Sequence, residues 1–206
     1  MKMTKTFTLL ATLALGLSVA AGTSTVKAAT TNTPTTAEAT LTTKDDPDNP
    51  DDGKIVLKSV PAINFGTKEL DGSAIKFEQA DTIDAPIKVL NPGIVAGWTV
   101  SVFRSKFMNG NVELKGAVLN FGDGVIADNN NSADATNLPA GGAITVDDEA
   151  AIVLDASKVR LDGTYPGVGE ITRTLAKTDT TLDVPANNTA GVYKADLTWT
   201  LTDSAE

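Results

Sequence analysis

The stretch YKADLTWTL, Tyr193 to Leu201, sets Tyr193, Ala195, Leu197, Trp199 and Leu201 in alternation with Lys194, Asp196, Thr198 and Thr200. A period of two puts every large apolar side chain on one face of an extended chain and the polar ones on the other, the pattern of a half-buried β-strand. Aromatic and β-branched residues suit such a pleated surface, and Pro185 and Gly191 close off the segment before it. A weaker copy, GWTVSV, runs from Gly97 to Val102 with Trp98, Val100 and Val102 sharing a face. Both tryptophans of the chain head a Trp-Thr-aliphatic triplet.

The rest of the chain reads as short strands and turns. Strands are predicted over 54–60, continuing after a turn through PAINFG, then at 75–77, 87–90 and 98–104. Asn109-Gly110 is a chain-reversing dipeptide, with LKGAVLNFG as the returning strand. The segment 123–142, with its Asn129-Asn130-Asn131 run, Pro139 and Gly141-Gly142, has the composition of a long surface loop. Further strands are expected at 143–146, 151–154, 171–175 and 181–184, and 150–160 is the one candidate for a short helix. Many short strands separated by Gly, Pro and Asn predict an all-β fold, an antiparallel sandwich or a barrel-like domain. The two motif strands either pair or face each other across the core, and the sequence does not decide between these.

Residues 1–28 read as a secretory signal peptide: Lys2 and Lys5 precede an apolar run from Phe7 to Ala21, and Val26-Lys27-Ala28 offers a cleavage site. The apolar run is short for a membrane span, and no second one follows, so no membrane span is expected in the exported chain. Residues 29–53 read as a linker, Thr- and Ala-rich and then acidic through DDPDNPDDG, and 54–206 as one β domain. A calcium loop is the alternative for the aspartate run, but its spacing lacks the alternate-position pattern and no glutamate closes it. The C-terminal LTDSAE carries neither a sorting motif nor a hydrophobic tail, so retention at a surface is expected to be non-covalent.

Charge and composition narrow the function. Signal removal strips three lysines and no acid, so the formal charge of −9 becomes −12. No basic stripe is present to displace phosphate counterions, which argues against nucleic acid as a partner. The same acidic balance repels any polyanion at long range, so contacts with one would have to be short in range. The chain has no cysteine and no histidine, and no GxSxG, P-loop or HExxH motif occurs, so neither an enzyme nor a cofactor is expected. Glycoside hydrolysis by a carboxylate pair is the one enzymatic alternative, but with 26 acidic residues a suitable pair carries no information.

The closing YKADLTWTL, the GWTVSV followed by ELKGAVLNF, and the opening VLKSVPAINFG resemble the WxL family of Gram-positive surface proteins in its short form. The distal motif is complete in Trp199-Thr200-Leu201, while Val100 stands in place of the leucine of the proximal one. The resemblance implies non-covalent attachment to peptidoglycan, at the cell wall, and complexes with WxL-interacting or other surface proteins. It marks Trp98, Thr99 and Val100 with Tyr193, Thr198, Trp199, Thr200 and Leu201 as candidate binding residues. The residues themselves leave two readings open. An indole face stacks on sugar rings, yet the period of two favours Trp199 in the core; Trp98, at a strand start, is expected to be half exposed. The polar face of the distal strand, including Thr198 and Thr200, is the alternative contact surface.

Overall fold

The computed structural model describes residues 39–42, 53–130, 135–160, 163 and 165–203. The expected signal peptide and the aspartate run lie outside these residues, as does most of the expected linker. Every strand of the described residues falls in the compact unit Leu41–Glu206. In chain order these are β1 (Val56–Ser59), β2 (Ile63–Asn64), β3 (Ile75–Phe77), β4 (Thr82–Ile83), β5 (Ile87–Asn91), β6 (Trp98–Arg104), β7 (Met108–Asn109) and β8 (Val112–Glu113). They continue with β9 (Val118–Phe121), β10 (Val125–Asp128), β11 (Ile144–Val146), β12 (Ala151–Asp155), β13 (Gly169–Thr174), β14 (Thr180–Val184) and β15 (Leu197–Asp203).

All pairing is antiparallel, and it builds three principal sheets: β1-β5-β13-β10, β11-β9-β14-β3 and β12-β6-β15. Two-stranded ribbons β2-β4 and β7-β8 complete the set. The sheets enclose one hydrophobic core without closing into a barrel, so the fold is an all-β, sandwich-like domain. Each sheet supplies its in-pointing positions: Ile87, Val89 and Ile171 from the first, Leu119, Phe121, Val146 and Leu182 from the second, and Trp98, Val100, Val102 and Leu154 from the third.

Arg173 on β13 ties the three sheets together. It is fully buried, and its guanidinium donates to the carbonyls of Val153 on β12, of Gly122 just after β9 (2.9 Å) and of Gly142 just before β11 (2.7 Å). Burial pushes its pKa down from the usual arginine value, and the nearby Asp123 carboxylate acts against that shift. Arg104 at the end of β6 makes a similar clamp, donating to the Val146 carbonyl (2.8 Å) and the Ala117 carbonyl (2.6 Å).

Several expectations are corrected. Of the two readings of this region, the strand expected at 151–154 is present as β12, and the short-helix candidate over 150–160 is not: β12 is followed by loop. A β-bulge between Ile152 and Leu154 turns Val153 and Leu154 both inward, and two adjacent buried residues imitate a helical pattern. The loop expected over 123–142 contains β10. The hairpin after β6 turns on Gly110-Asn111 rather than Asn109-Gly110: Asn109 is paired with Val112, and Gly110 at φ 57 occupies the first central position, where a positive φ suits glycine. The terminal strand begins at Leu197 rather than Tyr193.

Candidate functional site

The two motif strands pair with each other. β6 is the centre of its sheet and β15 its edge, in a continuous register that sets Val102 opposite Trp199, Val100 opposite Leu201 and Trp98 opposite Asp203. One face of this sheet is core. Trp98 and Val100 are fully buried, and Trp199 and Leu201 are half-buried against the same cluster. The Trp199 ring stacks on Phe121 of the second sheet, with centroids 6.3 Å apart and planes 9° from parallel.

Trp98 is therefore not half exposed, as its position at a strand start had implied. Pairing continues past the end of β12, where the Ala156 N–H donates to the Trp98 carbonyl (2.8 Å), and the returning chain at Gly167 closes over the indole while the Tyr165 ring lies against Gly97. The indole N–H donates to the Gly167 carbonyl at 3.2 Å. Gly167 has φ 80, and a Cβ there would lie 2.6 Å from Trp98 Cζ2, so backbone and ring are in direct contact.

Tyr193 does not join the others. Its hydroxyl donates to the Thr189 carbonyl (2.8 Å), and the neighbouring Lys194 bridges to Met108 of the β7-β8 ribbon.

The opposite face of the motif sheet is open. The alternation that buries Trp98, Val100 and Val102 turns Thr99, Ser101 and Phe103 outward on β6, and Thr198, Thr200 and Thr202 outward on β15. Register places Thr202 beside Thr99, Thr200 beside Ser101 and Thr198 beside Phe103. Ile152 and Asp155 of β12 flank Ser101 and Thr99 on the other side. Ile152 and Phe103, 52% and 36% exposed, form an apolar corner. The hydroxyls of Thr99, Ser101, Thr198, Thr200 and Thr202 have no hydrogen-bond partner among the described residues.

The outer faces of the other two sheets differ, because their polar side chains bond to one another. On the first, Lys88 and Asn129 both hold Glu170 (3.0 and 2.8 Å), and Thr172 donates to Asn129 (3.1 Å). On the second, Thr145 donates to the Asn120 carbonyl oxygen (2.8 Å), and Asn120 in turn reaches Thr181 and Asp183 (both 3.4 Å).

The structure thus brings together Thr99, Thr198 and Thr200 as an outward set and Trp98, Val100, Trp199 and Leu201 as an inward one. Ser101, Phe103, Ile152 and Thr202 belong to the outward set and were missed as candidates. For Ser101 and Phe103 the signal was present, since the alternation that assigns Trp98 to the core assigns them outside.

The carboxylate at the rim of this face is low in pKa. The Ser157 hydroxyl and backbone N–H, both donating to Asp155, hold it below the usual aspartate range; Glu170 is likewise lowered by Asn129 and then Lys88. A carboxyl whose folded pKa is depressed contributes stability above its unfolded value, and loses it as pH falls through the folded one. The thermal midpoint is therefore expected to be level from pH 7 to pH 5 and to fall below about pH 4. Asn129→Ala, which removes the larger of these two contacts and leaves Lys88 on Glu170, should make that fall shallower; a thermal melt series across pH reads both.

No curated protein and no solved structure matches this chain. Residues 19–204 match the family described as WxL domain surface cell wall-binding. That match spans nearly the whole chain and includes both paired motif strands, so the protein belongs to the WxL family of surface, cell wall-binding domains.

Proposed function

We propose that the protein binds the peptidoglycan of the wall non-covalently, as an exported binding protein rather than an enzyme, through the outer face of the β12-β6-β15 sheet. The observation that carries this is the contrast between sheets: among the described residues, the motif sheet presents a row of hydroxyls not spent on intramolecular bonds, where the other two sheets pair their polar side chains. Each hydroxyl both donates and accepts, which matches the hydroxyls and amides of a glycan with peptide stems. Phe103 and Ile152 supply an apolar corner for the C–H faces of sugar rings. The tryptophans act from behind the sheet. Buried Trp98 and stacked Trp199 fix the two strands that carry the hydroxyls, so the face is organised before the ligand arrives.

The absence of attraction of opposite charges fits this chemistry. The chain is acidic, the outer face carries only Asp155 among its named residues, and contacts of this kind are short in range. A binding role also fits the three carboxylates with shifted pKa values among the described residues, Asp71, Asp155 and Glu170, which are all lowered. A general acid for glycoside cleavage needs the opposite shift.

Co-sedimentation with purified, protein-free sacculi stripped of teichoic acids tests the proposal. Saturable binding that persists at high salt and releases no soluble muropeptides is expected. Thr198→Ala with Thr200→Ala should weaken it about thirtyfold, from two hydrogen bonds at about 1 kcal/mol each. A folded protein absent from the pellet would instead assign its retention to a surface partner protein, and released muropeptides would assign it hydrolysis.

A further inference from the structure

The hydrogen-bond directions of β6 fix which backbone groups β15 leaves open. The Arg104 N–H donates to the Asp147 carbonyl (2.6 Å) and the Trp98 carbonyl accepts from Ala156 (2.8 Å), so the even-numbered residues of β6 face β12. The odd-numbered ones, Thr99, Ser101 and Phe103, face β15 and bond to Thr202, Thr200 and Thr198. The Ser105 N–H to the Asp196 carbonyl (2.9 Å) continues the same phase. In β15, therefore, Leu197, Trp199, Leu201 and Asp203 direct their N–H and C=O groups outward. Among the described residues these meet no backbone partner. The Trp-x-Leu motif thus gives its side chains to the core and its backbone to an open sheet edge.

Edges of this length are ordinarily blunted by a proline, a lysine, a bulge or a short strand. β15 carries one charge, Asp203 at its last position, and is otherwise unprotected: it is seven residues long, regularly paired to β6, and free of proline and lysine. Its sequence is also self-complementary in one antiparallel register. With Thr200 on a two-fold axis, the outward pairs are Leu197 with Asp203 of a second copy and Trp199 with Leu201 of that copy. Thr198 then lies across from Thr202, and Thr200 across from itself. Aromatic meets aliphatic on the core side, hydroxyl meets hydroxyl on the outer side, and no like charges are opposed.

We infer that two copies of this chain associate through antiparallel pairing of their β15 strands about Thr200. The product is a six-stranded sheet, β12-β6-β15 joined to its two-fold mate, whose outer hydroxyl face runs unbroken across the axis. Doubling the face doubles the contacts offered to one polymer strand, so the second copy binds at high effective concentration. The pairing does not depend on the wall ligand and is measured without it. Both copies carry net negative charge, so screening of their repulsion should tighten the dimer as salt rises.

Cysteine substitution reads the register, because the chain has no thiol of its own. Across the axis Thr200 meets Thr200 at a non-hydrogen-bonded position, with Cα atoms about 4.5 Å apart, within disulfide reach. Thr198 is displaced from its own copy by four residues, roughly 13 Å, which is out of reach. Under mild oxidation Thr200→Cys should form the disulfide-linked dimer at least tenfold faster than Thr198→Cys. A mixture of Thr198→Cys with Thr202→Cys should cross-link where Thr198→Cys alone does not. Sedimentation equilibrium of the unsubstituted protein should show a reversible dimer that strengthens with salt. A monomer at every concentration would overturn the inference and leave the edge to a strand of another protein. Equal cross-linking of Thr200→Cys and Thr198→Cys would also overturn it.

Discussion

Arg173→Ala should lower the unfolding free energy by about 3–5 kcal/mol, the largest loss expected from any polar substitution in this protein. Its guanidinium bonds to Val153, Gly122 and Gly142 together, and it is fully buried. Truncation leaves three carbonyls without donors and opens a cavity between β13 and both neighbouring sheets. For a chain of this size that corresponds to a fall in thermal midpoint of roughly 6–20 °C. Arg173→Lys should give an intermediate loss, since one ammonium does not reproduce the planar fork that spans separate acceptors. Thermal unfolding followed by near-UV circular dichroism measures both. A loss under about 1 kcal/mol for the alanine variant would show that the sheets are held by apolar packing alone.

The second large effect separates the two tryptophans. Trp98→Ala should cost about 3–5 kcal/mol, because a fully buried indole and its hydrogen bond to Gly167 are both lost. Trp199 is half-buried, so its alanine variant should cost less, about 1.5–3 kcal/mol. Gly167→Ala reports on the same contact from the other side and should cost about 2–4 kcal/mol, since its Cβ would collide with the indole at a left-handed backbone position. Single-tryptophan proteins give an independent reading. With Trp199→Phe the remaining Trp98 should emit to the blue and resist acrylamide; with Trp98→Phe the remaining Trp199 should be quenched. Equal quenching of the two would contradict the asymmetry.

Much of the fold was legible because period-two alternation is a local property. Trp98–Arg104 and Ile75–Phe77 were read at their observed bounds, and the inward and outward sets on β6 follow from the alternation alone. The failures lie where tertiary contacts override that pattern. At β12 the strand itself was read at 151–154, but the bulge that buries both Val153 and Leu154 breaks the alternation and left 150–160 open to a helical reading as well. At β10 the buried residue is Asp128, whose carboxylate accepts from the Asn130 N–H and from Asn137, and a buried aspartate resembles loop in sequence. Upstream of β15 the apolar alternation persists through Tyr193 and Ala195, but pairing is interrupted. There the Ser105 hydroxyl, not a backbone carbonyl, accepts the Asp196 N–H.

The candidate site was legible in part. Its polar threonines on β15 were visible, whereas the burial of Trp98 depends on Gly167, 69 residues away, and no periodicity reports that contact. The direct pairing of the two motifs, which makes one surface of them, likewise rests on long-range register.

On the proposed function the outer face of the motif sheet contacts the wall, and neither the tryptophans nor another sheet does. The most direct measurement compares binding of folded variants to protein-free sacculi. Ser101→Glu and Thr200→Glu place a charge on the open face, while Thr174→Glu places one on an exposed position of the first sheet. Each motif-sheet variant should lose at least tenfold in affinity with an unchanged near-UV spectrum, and Thr174→Glu should bind as the parent does. Undiminished binding by Ser101→Glu and Thr200→Glu would contradict it.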